Sequence, residues 1–294
     1  MSEITEAPLT HKDFTSDQEI RWCPGCGDFA VLRGVLSALT ELQINSKDVV
    51  VVSGIGCSSN ITGFINSYGF HGLHGRAVPV ASGIRFGNHN LKVIATGGDG
   101  DGYGIGLGHF IHAMRRNIDL TYIVMNNQVY GLTTGQASPT SDKGMLTKST
   151  PTGSLEVPVN PIALGLISGA TYISRGFSGD PSHLAMITKN ALTHKGFSLV
   201  DVLSPCVTYN KIQTYEWFRE RVYKLEDEKH NTRNLDSAIK KAHEWDVKIP
   251  IGVFYEANQA TYEDDDPGLK NGPLVEQPLD NTGNMSKEIM KEFI

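Results

Sequence analysis

Short β-branched runs alternate along the chain with longer stretches whose apolar residues recur at helical spacing. Residues 28–43 (DFAVLRGVLSALTELQ) predict a helix on that spacing. Residues 47–53 (KDVVVVS) read as a buried strand ending at Gly54, and 91–96 (LKVIAT) as a second, stopped by Gly97 and Gly98. A helix over 105–116 and strands over 120–125 (LTYIVM) and 197–203 (FSLVDVL) follow. Between those strands, 181–194 predicts a helix with Ser182 available as its cap. Continuous apolar strands alternating with helices belong to a mostly parallel sheet with helices on both faces, an α/β fold.

The residues after each strand carry the chemistry. GIGCSSN follows the first, GGDGDGYG the second, NNQVYG the third and SPC the fourth. Open α/β sheets bind ligands just beyond the carboxyl ends of their strands. Here all four such ends offer glycine, carboxylate, carboxamide or cysteine.

This pattern divides the chain into a polar N-terminal arm (1–20), one α/β domain (21–210) and a C-terminal extension (211–294). The extension is charged and predicted helical over 215–245, and poor in apolar residues from 263 onward. It is expected to cover the surface or a partner rather than form a second core. Composition is ordinary for a globular chain, with 39% hydrophobic and 20% charged residues. A net charge of −6 without a long basic run argues against nucleic acid. No apolar stretch reaches the roughly 18–20 residues of a membrane span. The acidic start lacks the basic and apolar segments of a secretory signal, so a cytoplasmic protein is expected.

Asp99 sits in a Gly-Asp-Gly turn, and Asn127 ends the next strand. A strand–helix–strand unit brings those two ends side by side. Asp99 alone would repel a diphosphate, but a bridging divalent cation resolves the conflict. Mg²⁺ takes oxygen ligands and commonly combines one or two side chains with phosphate oxygens. Asp99, Asn127 and a backbone carbonyl, with Val129 the candidate, fit that requirement. Gly98, Gly100 and Gly102 would let backbone N–H groups approach the phosphates. A tight turn with a capping aspartate is the plainer reading. A nicotinamide fold lacks support, because no G-x-G-x-x-G register fits at 98–108 or at 54–56.

The four cysteines are Cys23 and Cys26 in WCPGCG, Cys57 and Cys206. A C-x-x-C pair suits redox chemistry, and four converging thiolates suit Zn²⁺ or an iron–sulfur cluster. Scattered buried cysteines are the remaining reading. Cys57 and Cys206 both follow strands at the ligand edge, which places them beside the diphosphate site.

WCPGCG, GIGCSSN, LHGRAVPVASG, GGDGDG and VYGLTTGQASPTS resemble, in this order, β subunits of 2-oxoacid:ferredoxin oxidoreductases. YEWFRERVYKLE and KIPIGVFYE resemble that family's C-terminal extension, so the likeness spans about residues 20–256. It implies a three-layer thiamine-diphosphate-binding fold. It also implies Asp99, Asn127 and Val129 as Mg²⁺ ligands, and a [4Fe–4S] cluster held by Cys23, Cys26, Cys57 and Cys206. Ile55, Gly56, Cys57, Ser58, His74, Gly100, Asp101, Gly131 and Leu132 would contact the cofactor. Asp101 could otherwise serve as a second metal ligand.

His74 would stabilise a charged species or position substrate; the alternative for the HGR segment is a turn held by Arg76. His71, His109 and His112 read as structural or solvated, and Lys143 and Lys148 as solvated loop residues. The implied reaction is coenzyme A-dependent oxidative decarboxylation of a 2-oxoacid, with electrons passed to ferredoxin, and its reductive reverse. The SSN–ITGF–YGFHGLHGR region resembles bacterial 2-oxoglutarate-type members, which points to 2-oxoglutarate, with pyruvate and other 2-oxoacids open because much of the pocket should belong to the partner. No glutamate near the strand ends suits activation of the aminopyrimidine, so the resemblance assigns that group to an α subunit. Paired αβ units in a larger oligomer are the expected form. A non-redox thiamine-diphosphate decarboxylase or synthase subunit with a structural four-cysteine metal is the alternative.

Overall fold

A computed structural model describes residues 7–270, 272–278 and 290–291. Residues 1–6 of the arm and most of the tail beyond residue 278 lie outside the described residues. The eight strands are β1 (Val49–Ser53), β2 (Tyr68–His71), β3 (Lys92–Gly98), β4 (Thr121–Asn126), β5 (Tyr172–Phe177), β6 (Ser198–Leu203), β7 (Val222–Lys224) and β8 (Ile249–Glu256). They form one sheet in the order β2-β1-β3-β4-β6-β5-β8-β7. Every pairing is parallel except β5 with β8.

Alternation along each strand divides the side chains between two cores. Val50, Val52, Val93, Ala95, Val124 and Leu199 pack under helices Ala77–Gly87, Leu107–Arg115, Pro161–Ile167 and Leu235–Ala242. Val49, Val51, Ile94, Ile123, Met125 and Val200 face the other way, under helices Asp28–Leu42 and Pro181–Thr193. The result is the expected three-layer α/β arrangement with helices on both faces.

The structure corrects the expected organisation in several places. The arm is not a free polar segment throughout: helix His11–Phe14 buries Phe14 completely, and Thr15 bridges to Ile65. The 215–245 segment is not one helix. Only Tyr215–Arg219 and Leu235–Ala242 are helical, and β7 runs between them. Residues of the extension belong to the sheet itself, because β8 lies antiparallel on β5 and covers an edge that would otherwise expose unpaired backbone groups. Helix Pro181–Thr193 is capped by Asp180, which accepts from His183 N at 3.1 Å, rather than by Ser182. Proline at the first helical position pre-sets the turn and places Asp180 one residue before it. β3 runs through Gly97 and Gly98 instead of stopping before them.

Candidate active site

The loops after β1, β3 and β4 enclose a cavity of about 410 Å³. Its walls include Ile55, Gly56, Cys57 and Ser58 from the first loop, and Gly98, Asp99, Gly100 and Asp101 from the second. The third loop contributes Asn127, Val129, Tyr130, Gly131 and Leu132, and His74 reaches in from the segment after β2. The structure thus brings together every expected cofactor contact and the three expected Mg²⁺ ligands. Arg76, Lys143 and Lys148 do not line this cavity.

Asp99 is almost wholly buried. Its Oδ2 accepts from Ser138 Oγ at 2.5 Å and lies 2.6 Å from Thr140 Oγ1. Burial pushes its carboxyl up to about 6, against the lowering effect of the two hydroxyls. Its own backbone N–H also favours the charged form, and Asp99 lines the cavity. Asn127 lines the same cavity. Its Oδ1 accepts from Val129 N at 3.0 Å, and its own carbonyl accepts from Asn210 Nδ2 at 3.1 Å. A buried carboxylate and a carboxamide lining one cavity are oxygen donors of the kind a hard cation takes. They would suit Mg²⁺.

After Asp99 the chain makes a widened turn, Gly100–Ile105, in which Gly106 N donates to Asp101 O at 3.0 Å. Such i→i+5 turns often mark functional positions. This one folds Asp101 back under the first loop. Asp101 Oδ1 accepts from Ile55 N at 2.9 Å and Gly75 N at 2.7 Å, and lies 3.0 Å from His74 Nδ1. Burial raises the Asp101 pKa while these three contacts favour its charge. Asp101 therefore ties the β1, β2 and β3 ends together and fixes the His74 ring. With Nδ1–H directed at Asp101, the other ring nitrogen, Nε2, remains for chemistry. This tying role was not evident in the sequence, and neither were the Ser138 and Thr140 contacts to Asp99.

The cysteines gather at the β6 side of the same edge. Cys23 is exposed and the other three are partly buried. A methyl placed on Gly131 would lie 3.5 Å from Cys57 Sγ and 3.9 Å from Cys206 Sγ. Cys57 and Cys206 thus both lie against the third loop. Burial raises the Cys26 and Cys57 thiols, the latter to about 11, with nearby Asp28 and the other cysteines adding to the effect. Asp28 is itself buried and is pushed up to about 6. Yet among the described residues no three His, Cys, Asp or Glu side chains form a group that could hold a metal ion. Four-thiolate convergence, expected from the sequence, is in this respect incomplete. The four thiols nevertheless lie within one another's electrostatic reach.

Comparison with known proteins agrees with this geometry. Residues 54–202, which hold the whole cavity, match the family of thiamine pyrophosphate enzymes, C-terminal TPP binding domain. That match defines the chain as a thiamine-diphosphate-binding protein. Residues 206–271 match the C-terminal family of the pyruvate ferredoxin oxidoreductase beta subunit. The chain is 49% identical over 254 residues to 2-oxoacid:ferredoxin oxidoreductase 1, subunit beta, of Aeropyrum pernix, covering 83% of this chain and 80% of that one. It is 45% identical over 291 residues to the 2-oxoacid:ferredoxin oxidoreductase beta subunit of Saccharolobus solfataricus, covering 92% and 95%. A solved structure of 2-oxoglutarate:ferredoxin oxidoreductase from Magnetococcus marinus, with 2-oxoglutarate, coenzyme A and succinyl-CoA bound, superposes with a TM-score of 0.89. It shares 40% identity and covers 96% of each chain. The chain belongs to the β subunits of 2-oxoacid:ferredoxin oxidoreductases, and is part of an oxidoreductase. These relatives do not favour the non-redox alternative. No helix among the described residues is long and apolar enough to cross a membrane.

Proposed function

We propose that this chain carries the thiamine diphosphate of a cytoplasmic 2-oxoglutarate:ferredoxin oxidoreductase, working with an α subunit in a larger assembly of αβ units. The observation that carries this reading is the cavity in which Asp99, Asn127 and His74 converge within reach of Cys57. Thiamine diphosphate supplies the electron sink for decarboxylation, and the protein supplies binding, orientation and electrostatics. Asp99, Asn127 and the Val129 carbonyl would hold Mg²⁺. Ile55, Gly56, Ser58, Gly100, Asp101, Gly131 and Leu132 would line the cofactor. Cys23, Cys26, Cys57 and Cys206 would hold a [4Fe–4S] cluster that serves transfer to ferredoxin.

His74 would donate or accept a proton at Nε2 toward the reacting end of the cavity, with Asp101 fixing its tautomer. Ser138 and Thr140 hold Asp99 in one rotamer, so the diphosphate anchor is positioned before the ligand arrives. Coenzyme A would accept the acyl group. The glutamate that activates the aminopyrimidine would come from the α subunit, because among the described residues no glutamate lines the cavity.

The test uses the anaerobically purified αβ enzyme. Ferredoxin reduction should proceed with 2-oxoglutarate in preference to pyruvate in direct competition, with about four irons per chain. Cys57→Ser should lose iron and ferredoxin reduction. A clear preference for pyruvate would overturn the substrate, and zinc in place of iron would overturn the redox route.

A further inference from the structure

A second cavity, of about 350 Å³, opens on the other side of Thr140, lined at its base by Asn126, Gln128, Arg175 and Asp201 and at its mouth by Val157 and Trp245. Arg175 and Asp201 continue the strand faces on which Ile173 and Leu199 pack, so both are carried into the core interior. Asp201 Oδ1 accepts from Tyr103 OH at 2.9 Å and Asn126 Nδ2 at 3.1 Å. Arg175 lies over the Trp245 and Phe254 rings, 5.2 and 5.4 Å from their centroids. Its Nε stands 3.5 Å from Asp201 Oδ2, an ion pair too long for a good hydrogen bond. Four polar atoms at this base are buried without a hydrogen-bond partner: Arg175 Nε and Nη1, Asp201 Oδ2 and Gln128 Oε1. Buried polar atoms are ordinarily paired, because each unpaired one costs about 1–3 kcal/mol.

The base therefore offers Arg175 Nη1 as a free donor and Gln128 Oε1 as a free acceptor, with the long Arg175–Asp201 ion pair between them, beneath mostly apolar walls that Asp142 and His243 interrupt. A carboxylate would answer Arg175 but meet the charge of Asp201. An ammonium would answer Asp201 but meet Arg175. A neutral group carrying both C=O and N–H answers both without a net charge to bury. The volume falls within the ~300–1,000 Å³ range of small-molecule pockets, and Trp245 and the prolines at 158 and 161 suit a flat ligand. We propose that this cavity is a second ligand site, separate from the cofactor cavity, which takes a planar lactam or ureide such as an oxopyrimidine or oxopurine. The ligand carbonyl accepts from Arg175, and its N–H groups donate to Asp201 and Gln128.

The test titrates the αβ enzyme with 5-fluorouracil and, separately, with 4-fluorobenzoate, followed by fluorine NMR. The lactam signal should broaden saturably at millimolar concentration or below, and the carboxylate signal should not. Val157 is 77% exposed at the mouth, so Val157→Trp should fold normally and keep the activity of the ligand-free enzyme. It should weaken lactam binding by at least about tenfold. Absence of saturable binding would overturn the proposal. So would equal binding of the carboxylate, or lactam binding that Val157→Trp leaves unchanged.

Discussion

Gly54→Ala tests whether Asp101 holds the site together. Gly54 immediately follows β1, and its Cα lies against the Asp101 carboxylate, so an added methyl would overlap both carboxylate oxygens. The carboxylate must swing away and give up Ile55 N, Gly75 N and His74 Nδ1, at 2.9, 2.7 and 3.0 Å. Each hydrogen bond to a charged group contributes about 1.5–3 kcal/mol, so losing the two backbone ones alone costs on the order of 3–6 kcal/mol. Urea denaturation followed by circular dichroism should show that loss, and thiamine diphosphate affinity should fall with it. In an Asp101→Ala background there is no carboxylate to displace. The two substitutions should therefore be strongly non-additive, with Gly54→Ala adding little to the single Asp101→Ala loss. Equal damage from Gly54→Ala in both backgrounds would refute the reasoning.

The pH dependence of the cofactor-free chain should run opposite to that of a protein held by salt-bridged carboxylates. Asp28 and Asp99 are both raised by burial from 3.8 to about 6, so the folded state binds more protons than the unfolded state across that window. Stability should fall as pH rises from 3.8 to about 6, by on the order of 3 kcal/mol for each carboxyl. Adding Mg²⁺ with thiamine diphosphate should offset the Asp99 share above pH 6 and leave the Asp28 share, as urea midpoints with and without the additions would show. Phe14→Ala should cost about 3–5 kcal/mol in the same denaturation assay, because its ring is fully buried against the β1 side of the sheet; a surface-like effect below about 0.5 kcal/mol would return the arm to a loose segment. His74→Ala should lower kcat by about 10²–10³ with little change in cofactor affinity, and a fall in affinity with kcat preserved would make it a binding residue instead.

The strand–helix alternation was legible because it is local. A parallel strand buried on both faces must be apolar throughout, so 47–53, 91–96, 120–125 and 197–203 announce themselves within a few residues. The chemistry at their ends was legible for the same reason, since a glycine turn, Asp99, Asn127 and the cysteines sit directly after the runs. The fold's parallel topology then brings those ends to one edge without further information. The remaining features depend on pairs far apart in sequence, and no local pattern encodes them. Thr140 reaches Asp99, Gly75 reaches Asp101, and Arg175 meets Asp201 only once the sheet has assembled. β2, with four exposed residues, has neither an apolar run nor a clear alternation, and is a strand because β1 offers it an edge. β8 likewise joins the domain because β5 leaves an edge whose backbone groups need partners. Local sequence thus set which segments form elements and which residues stand at their ends. Tertiary packing decided which hydroxyls hold Asp99, which carboxylate fastens the loops, and where a charge is left buried beside a cavity.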